Sequence, residues 1–153
     1  MNQLSNITWK NYRLKAHNIG RHGMETKLLH ILTCSRVITD AQTRLPSYIE
    51  VFNTITIPKN LGFWYQTFFV AGTLNNDFKG YAKGAITISG PDGFNRSSPL
   101  EGEVSPGYVP FNAMFDSVKF EKAGKYLITM KFQDKELVTE EKYIQVVLES
   151  YEH

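Results

Sequence analysis

Along most of the chain apolar and polar side chains alternate with a period of two, the spacing of an extended strand that buries one face. The clearest stretch is 125–133, where Tyr126, Ile128, Met130 and Phe132 alternate with Lys125, Thr129, Lys131 and Gln133. Residues 48–57 repeat the pattern, with Ile49, Val51, Ile55 and Ile57 on one face and Glu50, Thr54 and Thr56 on the other. Two segments are too apolar for a one-sided strand. Residues 27–34 read as a mostly buried strand, continued past a kink by 36–40. Residues 63–74 read as a central strand, with Gly72 marking a bulge or a close approach of another backbone. Further strands are predicted over 81–89, 112–120 and 136–148, with a weak one at 100–104.

Turn residues separate these runs. Gly90-Pro91-Asp92-Gly93 is the strongest such signal, because proline presets φ and glycine supplies a positive one. Asn75-Asn76-Asp77, Glu121-Lys122-Ala123-Gly124 and Asp134-Lys135 are others. Residues 90–110 hold four of the six prolines and read as the least regular part of the chain. About eight short strands at near-regular spacing, with no convincing long helix, predict an all-β fold. The short turns imply antiparallel pairing. We therefore expect an antiparallel, immunoglobulin-like β-sandwich rather than a barrel. Gly124-Lys125-Tyr126 adds a specific expectation: a tyrosine opening the penultimate strand can return its hydroxyl to the upstream backbone, as in a tyrosine corner.

Residues 1–23 show neither period and are expected to form a loosely structured, flexible extension, with the sandwich over 24–150. Met24 stands just before the first strand. Translation starting there would leave Met24 or Glu25 as the native N-terminus, which an intact mass would check.

Charge sharpens that division. The formal net charge is +2, but residues 1–23 carry Lys10, Arg13, Lys15 and Arg21 with no acid, leaving 13 basic against all 15 acidic side chains in the remainder. The basic character belongs to the extension, read as a solvated terminus. The domain shows no basic stripe, so no nucleic-acid partner is expected. The single cysteine, Cys34, excludes an internal disulfide. No apolar signal-peptide core and no run of about 18 apolar residues is present, so no membrane association is expected and a reducing cytoplasm is the expected compartment. The sequons Asn6-Ile7-Thr8 and Asn95-Arg96-Ser97 would then stay unmodified.

The apolar first strand ending in Cys34, the 48–57 strand running into Pro58, the long apolar 63–74 strand and the closing Phe120, Gly124-Lys125-Tyr126, Phe132, Leu137 and Val146 together carry a resemblance. Over residues 27–147 the chain resembles a family of small bacterial proteins with an immunoglobulin-like β-sandwich domain of unknown function. Asn53 departs from it, since such chains often carry glycine there, as does the N-terminal extension. The resemblance implies a fold and brings no activity, cofactor or site residue.

Candidate chemistry is sparse. Cys34 and His30 share a strand face but stand about 13 Å apart along it, too far to exchange a proton or bind one metal. Cys34 reads as a buried, inert thiol. His17 and His22 flank Gly20 with no third ligand in spacing, so no metal is expected. Glu101 and Glu103 lie about 6.6 Å apart by strand rise, a separation a glycosidase could use and one that any solvated strand face produces. No phosphate-binding glycine loop, nucleophile elbow or cofactor motif occurs, so the chain is expected to be non-enzymatic and to hold no cofactor. The aromatic run Phe63-Trp64-Tyr65 and Phe68-Phe69 reads as core filling; exposed, its Trp64 and Phe68 face would be a sugar-stacking or docking platform. The most plausible contact residues are Phe94, Arg96 and Tyr108, in the loop-like stretch where binding segments of a sandwich sit. The leading expectation is a non-catalytic protein-interaction or assembly module, engaging a protein partner or itself; the alternative is a carbohydrate- or small-ligand-binding sandwich. Exposure of Trp64 separates the two.

Overall fold

The structure, a computed structural model, describes residues 26–150, so the extension read over 1–23 lies outside the described residues. It contains nine strands: β1 (Lys27–Thr39), β2 (Pro46–Phe52), β3 (Thr54–Ile57), β4 (Trp64–Asn76), β5 (Gly80–Ser89), β6 (Asn95–Val104), β7 (Gly107–Phe120), β8 (Gly124–Phe132) and β9 (Lys135–Leu148). They form a four-stranded sheet in the order β2-β1-β4-β7 and a five-stranded sheet in the order β3-β9-β8-β5-β6. The two sheets pack face to face as an all-β sandwich.

The core lies between them. Phe68, Val70 and Leu74 of β4 and Phe111, Phe115 and Phe120 of β7 meet Ile86 and Ile88 of β5, Met130 of β8 and Ile144 and Val146 of β9, all buried. Each such side chain contributes about 1.5–3 kcal/mol relative to exposure. The alternation along 125–133 does what its pattern predicts, burying Tyr126, Met130 and Phe132 while Ile128 is half buried. The Tyr126 hydroxyl donates to the Lys122 carbonyl at 2.7 Å, the contact expected of a tyrosine corner. Its ring packs edge-on against Phe94 and Phe120, at 4.9 and 5.1 Å between centroids. Gly90 lies under that ring, where a Cβ would stand 2.6 Å from Cε1.

Three expectations need correction. The run at 48–57 is two strands, broken at Asn53, where the chain leaves one sheet for the other. Ile55 and Ile57 are in the core, whereas Val51 is 59% exposed on the opposite sheet. Period-two spacing carries no mark of a change of sheet. Second, pairing is not uniformly antiparallel: β3 lies parallel to β9, with Thr54 opposite Gln145 and Ile57 opposite Leu148. Strands this far apart in sequence are under no hairpin constraint. Third, regular structure reaches further into the stretch read as least regular: β6 starts at Asn95, ahead of the weak strand expected at 100–104, and β7 starts at Gly107, ahead of the strand expected at 112–120. β6 and β7 each end a sheet, and Pro99 and Pro110 are tolerated there because an edge strand leaves one side of its backbone unpaired.

Other local signals hold. At Gly72 an added Cβ would run into the His30 carbonyl oxygen and lie 2.7 Å from the Phe111 ring, so the glycine marks a close approach. The first strand shifts register between Leu28 and His30, opposite this point, and the kink expected between 34 and 36 is absent, since β1 keeps one register with β2 from Cys34 to Arg36. β8 and β9 are joined through Gln133 and Asp134, both at positive φ (51° and 62°), the backbone of a tight hairpin turn. Among the described residues no helix is long and apolar enough to cross a membrane.

Candidate binding site around Trp64

The three contact residues expected from the sequence do not converge. Phe94 is half buried, stacked on Phe120 at 5.8 Å and packed against Tyr126, so it closes the corner of the core. Arg96 is exposed on β6, and its guanidinium donates to the Asp116 carbonyl on β7 at 3.3 Å. Tyr108 is also exposed on β7, but the eight residues separating it from Asp116 place it about 26 Å along the strand.

The other sequence candidates are likewise separate. Cys34 is fully buried, and burial pushes its thiol pKa up. The His30 ring sits edge-on to Tyr48 at 6.3 Å, with its pKa lowered first by burial and then by the charge of Lys142. Glu101 and Glu103 are exposed on β6, opposite Lys83 and Tyr81. Tyr81 has its phenol pKa raised by desolvation and by a hydrogen bond with Glu101. That is a solvated strand face carrying one ordinary polar contact.

The aromatic run behaves differently at its two ends. Phe68 is 0% exposed, stacked on Phe115 at 5.5 Å and edge-on to Phe52 at 5.8 Å. The core-filling expectation holds for it and fails for Phe63, Trp64 and Tyr65, which are 36%, 38% and 53% exposed. The cause is where the neighbouring strand ends. β1 pairs with β4 only as far as Cys34 opposite Phe69; beyond Cys34 it pairs with β2 alone. The first residues of β4 are left with β7 on one side and no strand on the other among the described residues.

Two distinct surfaces result. Successive strand residues point to opposite faces. Tyr65 stands opposite Lys119, whose ammonium lies 5.0 Å from the Phe63 ring centre and 5.9 Å from that of Tyr65. Lys119 also pairs with Glu121 at 2.8 Å, which raises the lysine pKa and lowers that of the glutamate. Trp64 points the other way, sharing its face with Gln66 and Phe68. Its indole N–H donates to Gln66 Oε1 at 2.8 Å, which fixes the ring plane.

Beside this ring is an open hollow of about 330 Å³. Trp64 and Gln66 form one wall, Ser35 and Glu50 a second, and Thr54 and Thr56 a third. Val51, Phe52 and Ile55 complete the lining. Ser35 and Glu50 face each other across the β1–β2 ladder, between the pairs Cys34–Val51 and Arg36–Ile49. Glu50 has φ of 55°, the left-handed region, which a residue other than glycine adopts at a cost of about 1–3 kcal/mol. The sequence reading missed Ser35, Glu50, Gln66 and the two threonines as site residues. The i, i+2 pair Trp64 and Gln66 was the available signal: an amide placed to hold an indole.

A larger hollow, of about 520 Å³, lies between β1 and β9 and shares Val51, Phe52 and Thr54 with the first. It follows a seam where β9 leaves β8: between Lys142 opposite Ile128 and Leu137 opposite Met130, four residues of β9 stand against Thr129 alone. Size favours this seam. Chemistry favours the Trp64 hollow, where an oriented indole shares the lining with a carboxylate-bearing, an amide-bearing and three hydroxyl-bearing residues. No protein-family model and no curated protein matches the chain.

Proposed function

We propose that the protein is a non-catalytic binding module and that the hollow beside Trp64 is its binding face, taking a small polar ligand. The observation that supports this is the exposure of Trp64 on the same strand face that buries Phe68. A large aromatic with its N–H already satisfied and its ring in water is a rigid contact surface, which costs little entropy to use. The sandwich around it, with a tyrosine corner at Tyr126, is in keeping with an immunoglobulin-like fold and with the resemblance to bacterial domains of unknown function. On this reading the contact residues are Trp64, Glu50 and Gln66 in place of Phe94, Arg96 and Tyr108.

The full chain labelled with 15N, carrying Trp9→Phe so that Trp64 supplies the only indole N–H signal, tests the proposal. Titration with a panel of small sugars, amino acids and inorganic phosphate is expected to move that signal for at least one probe. Uniform silence at Trp64 across the panel would remove the reading.

A second reading, assembly through self-association, has a separate support. The outer face of the four-stranded sheet aligns Val51, Cys34, Phe69 and Met114 across all four strands, with Val51 exposed, Phe69 and Met114 half buried and Cys34 covered by its neighbours. A mass that rises with protein concentration, and is returned to the monomer by Phe69→Lys, would favour it.

A further inference from the structure

Resting on the binding-face reading above, we propose that the Trp64 hollow takes one ring of a neutral saccharide. The indole would cover the C–H face of the sugar, and Glu50, Gln66, Ser35 and the threonines would meet its hydroxyls. The lining argues against two other classes and complements this one. An apolar ligand would desolvate the Glu50 carboxylate and the Gln66 amide N–H pair without giving either a partner. An anionic ligand would meet the Glu50 carboxylate with no basic side chain among the lining residues to offset it. A sugar ring carries what the walls lack: a C–H face polarised to suit the negative face of an aromatic ring, and a rim of hydroxyls that both donate and accept.

The donors and acceptors complement such a rim. Gln66 Oε1 is engaged by the Trp64 indole N–H, so the amide turns its N–H pair outward as donors. Glu50 is a pure acceptor when ionised, Ser35 and Thr56 bring hydroxyls of either sense, and the Thr54 hydroxyl, which donates to Asn53 Oδ1 at 3.1 Å, is left to accept. The left-handed backbone at Glu50 sets this carboxylate apart from its strand neighbours, and strain of that kind gathers at ligand clamps.

The geometry also limits the size of the ligand. The volume, about 330 Å³, stands near the lower end of the range of about 300–1,000 Å³ for ligand pockets. Trp64 is alone on its face at this end, because Phe63 and Tyr65 project to the other, so the platform is one ring wide. The ridge Val51, Phe52 and Thr54, shared with the neighbouring seam, closes one side. These features fit a single sugar or the end of a glycan chain and do not extend along a polysaccharide.

The test uses the full chain with Trp9→Phe, following the Trp64 indole N–H signal and intrinsic fluorescence. The probes are glucose, galactose, mannose and N-acetylglucosamine, with their methyl glycosides to stand for chain ends, and glucuronate as an anionic sugar. A saturable response to at least one neutral sugar is expected, at affinities of about millimolar. Glu50→Gln should weaken it about tenfold, since a hydrogen bond to a charged group is lost. Trp64→Ala should abolish binding, read by ligand-observed NMR, and Trp64→Phe should keep part of it. Tighter binding of the methyl glycoside than of the free sugar would assign a chain end; the reverse order would assign a free monosaccharide. Stronger binding of glucuronate, or a response to amino acids or phosphate at Trp64 with none to sugars, would overturn the saccharide class while leaving the binding face standing. Silence of Trp64 toward every probe would overturn both.

Discussion

Trp64 and Phe68 stand four residues apart on one face of β4, yet Phe68 is sealed among Phe52, Phe115 and Phe120 while Trp64 keeps 38% of its surface in water. Local hydrophobicity does not distinguish them. What differs is cover: β1 runs beside β4 from Lys27 to Cys34, then leaves it to continue with β2 alone. An aromatic pattern therefore marks a core only where the neighbouring element is long enough to close over it; past that point the same pattern produces a binding surface.

The sharpest way to break this comparison is to truncate both rings. Phe68→Ala should cost about 3–5 kcal/mol of unfolding free energy, as a large aromatic removed from a packed core does. Trp64→Ala should cost less than about 1 kcal/mol, in the range of surface substitutions. Urea unfolding monitored by circular dichroism reads both, and equal losses would show that Trp64 is part of the core. A smaller effect is expected at the covered corner beside it, where Phe120, the cross-strand partner of Trp64, carries the Tyr126 ring. Tyr126→Phe should cost about 1 kcal/mol through the lost hydrogen bond to Lys122. Burial raises the Tyr126 pKa above its ordinary value, so the folded state favours the neutral phenol. That contribution is complete below about pH 10 and is lost as pH rises from there through the raised folded pKa. Tyr126→Phe should therefore flatten the alkaline limb of the stability profile and leave the neutral region parallel to that of the parent protein.

Much of the fold was legible, for identifiable reasons. Tyr126, Met130 and Phe132 sit in a strand whose two neighbours both cover it, so period two translated directly into burial. Gly72 and the turn at Gly90 to Gly93 were legible because glycine and proline act through backbone sterics that need no tertiary context. The break at Asn53 was not, because Ile49, Val51, Ile55 and Ile57 keep one rhythm while the chain changes sheets. The first halves of β6 and β7 were hidden by Pro91, Pro99, Pro106 and Pro110, since proline reads as a turn residue yet is acceptable in a strand at the edge of a sheet. The candidate site was less legible than the fold. Its walls come from β1, β2, β3 and β4, and Glu50 and Trp64 are neighbours only because β1 parts from β4. Phe94, Arg96 and Tyr108 were favoured on residue type within an apparent loop, and the long strands found there hold them apart.

The account depends most directly on the state of the Trp64 ring in solution. In the Trp9→Phe protein, acrylamide should quench Trp64 fluorescence readily, with an emission maximum shifted to the red toward that of indole in water. Blue-shifted emission that acrylamide barely reaches would place Trp64 in the core beside Phe68 and contradict the open end of the sandwich.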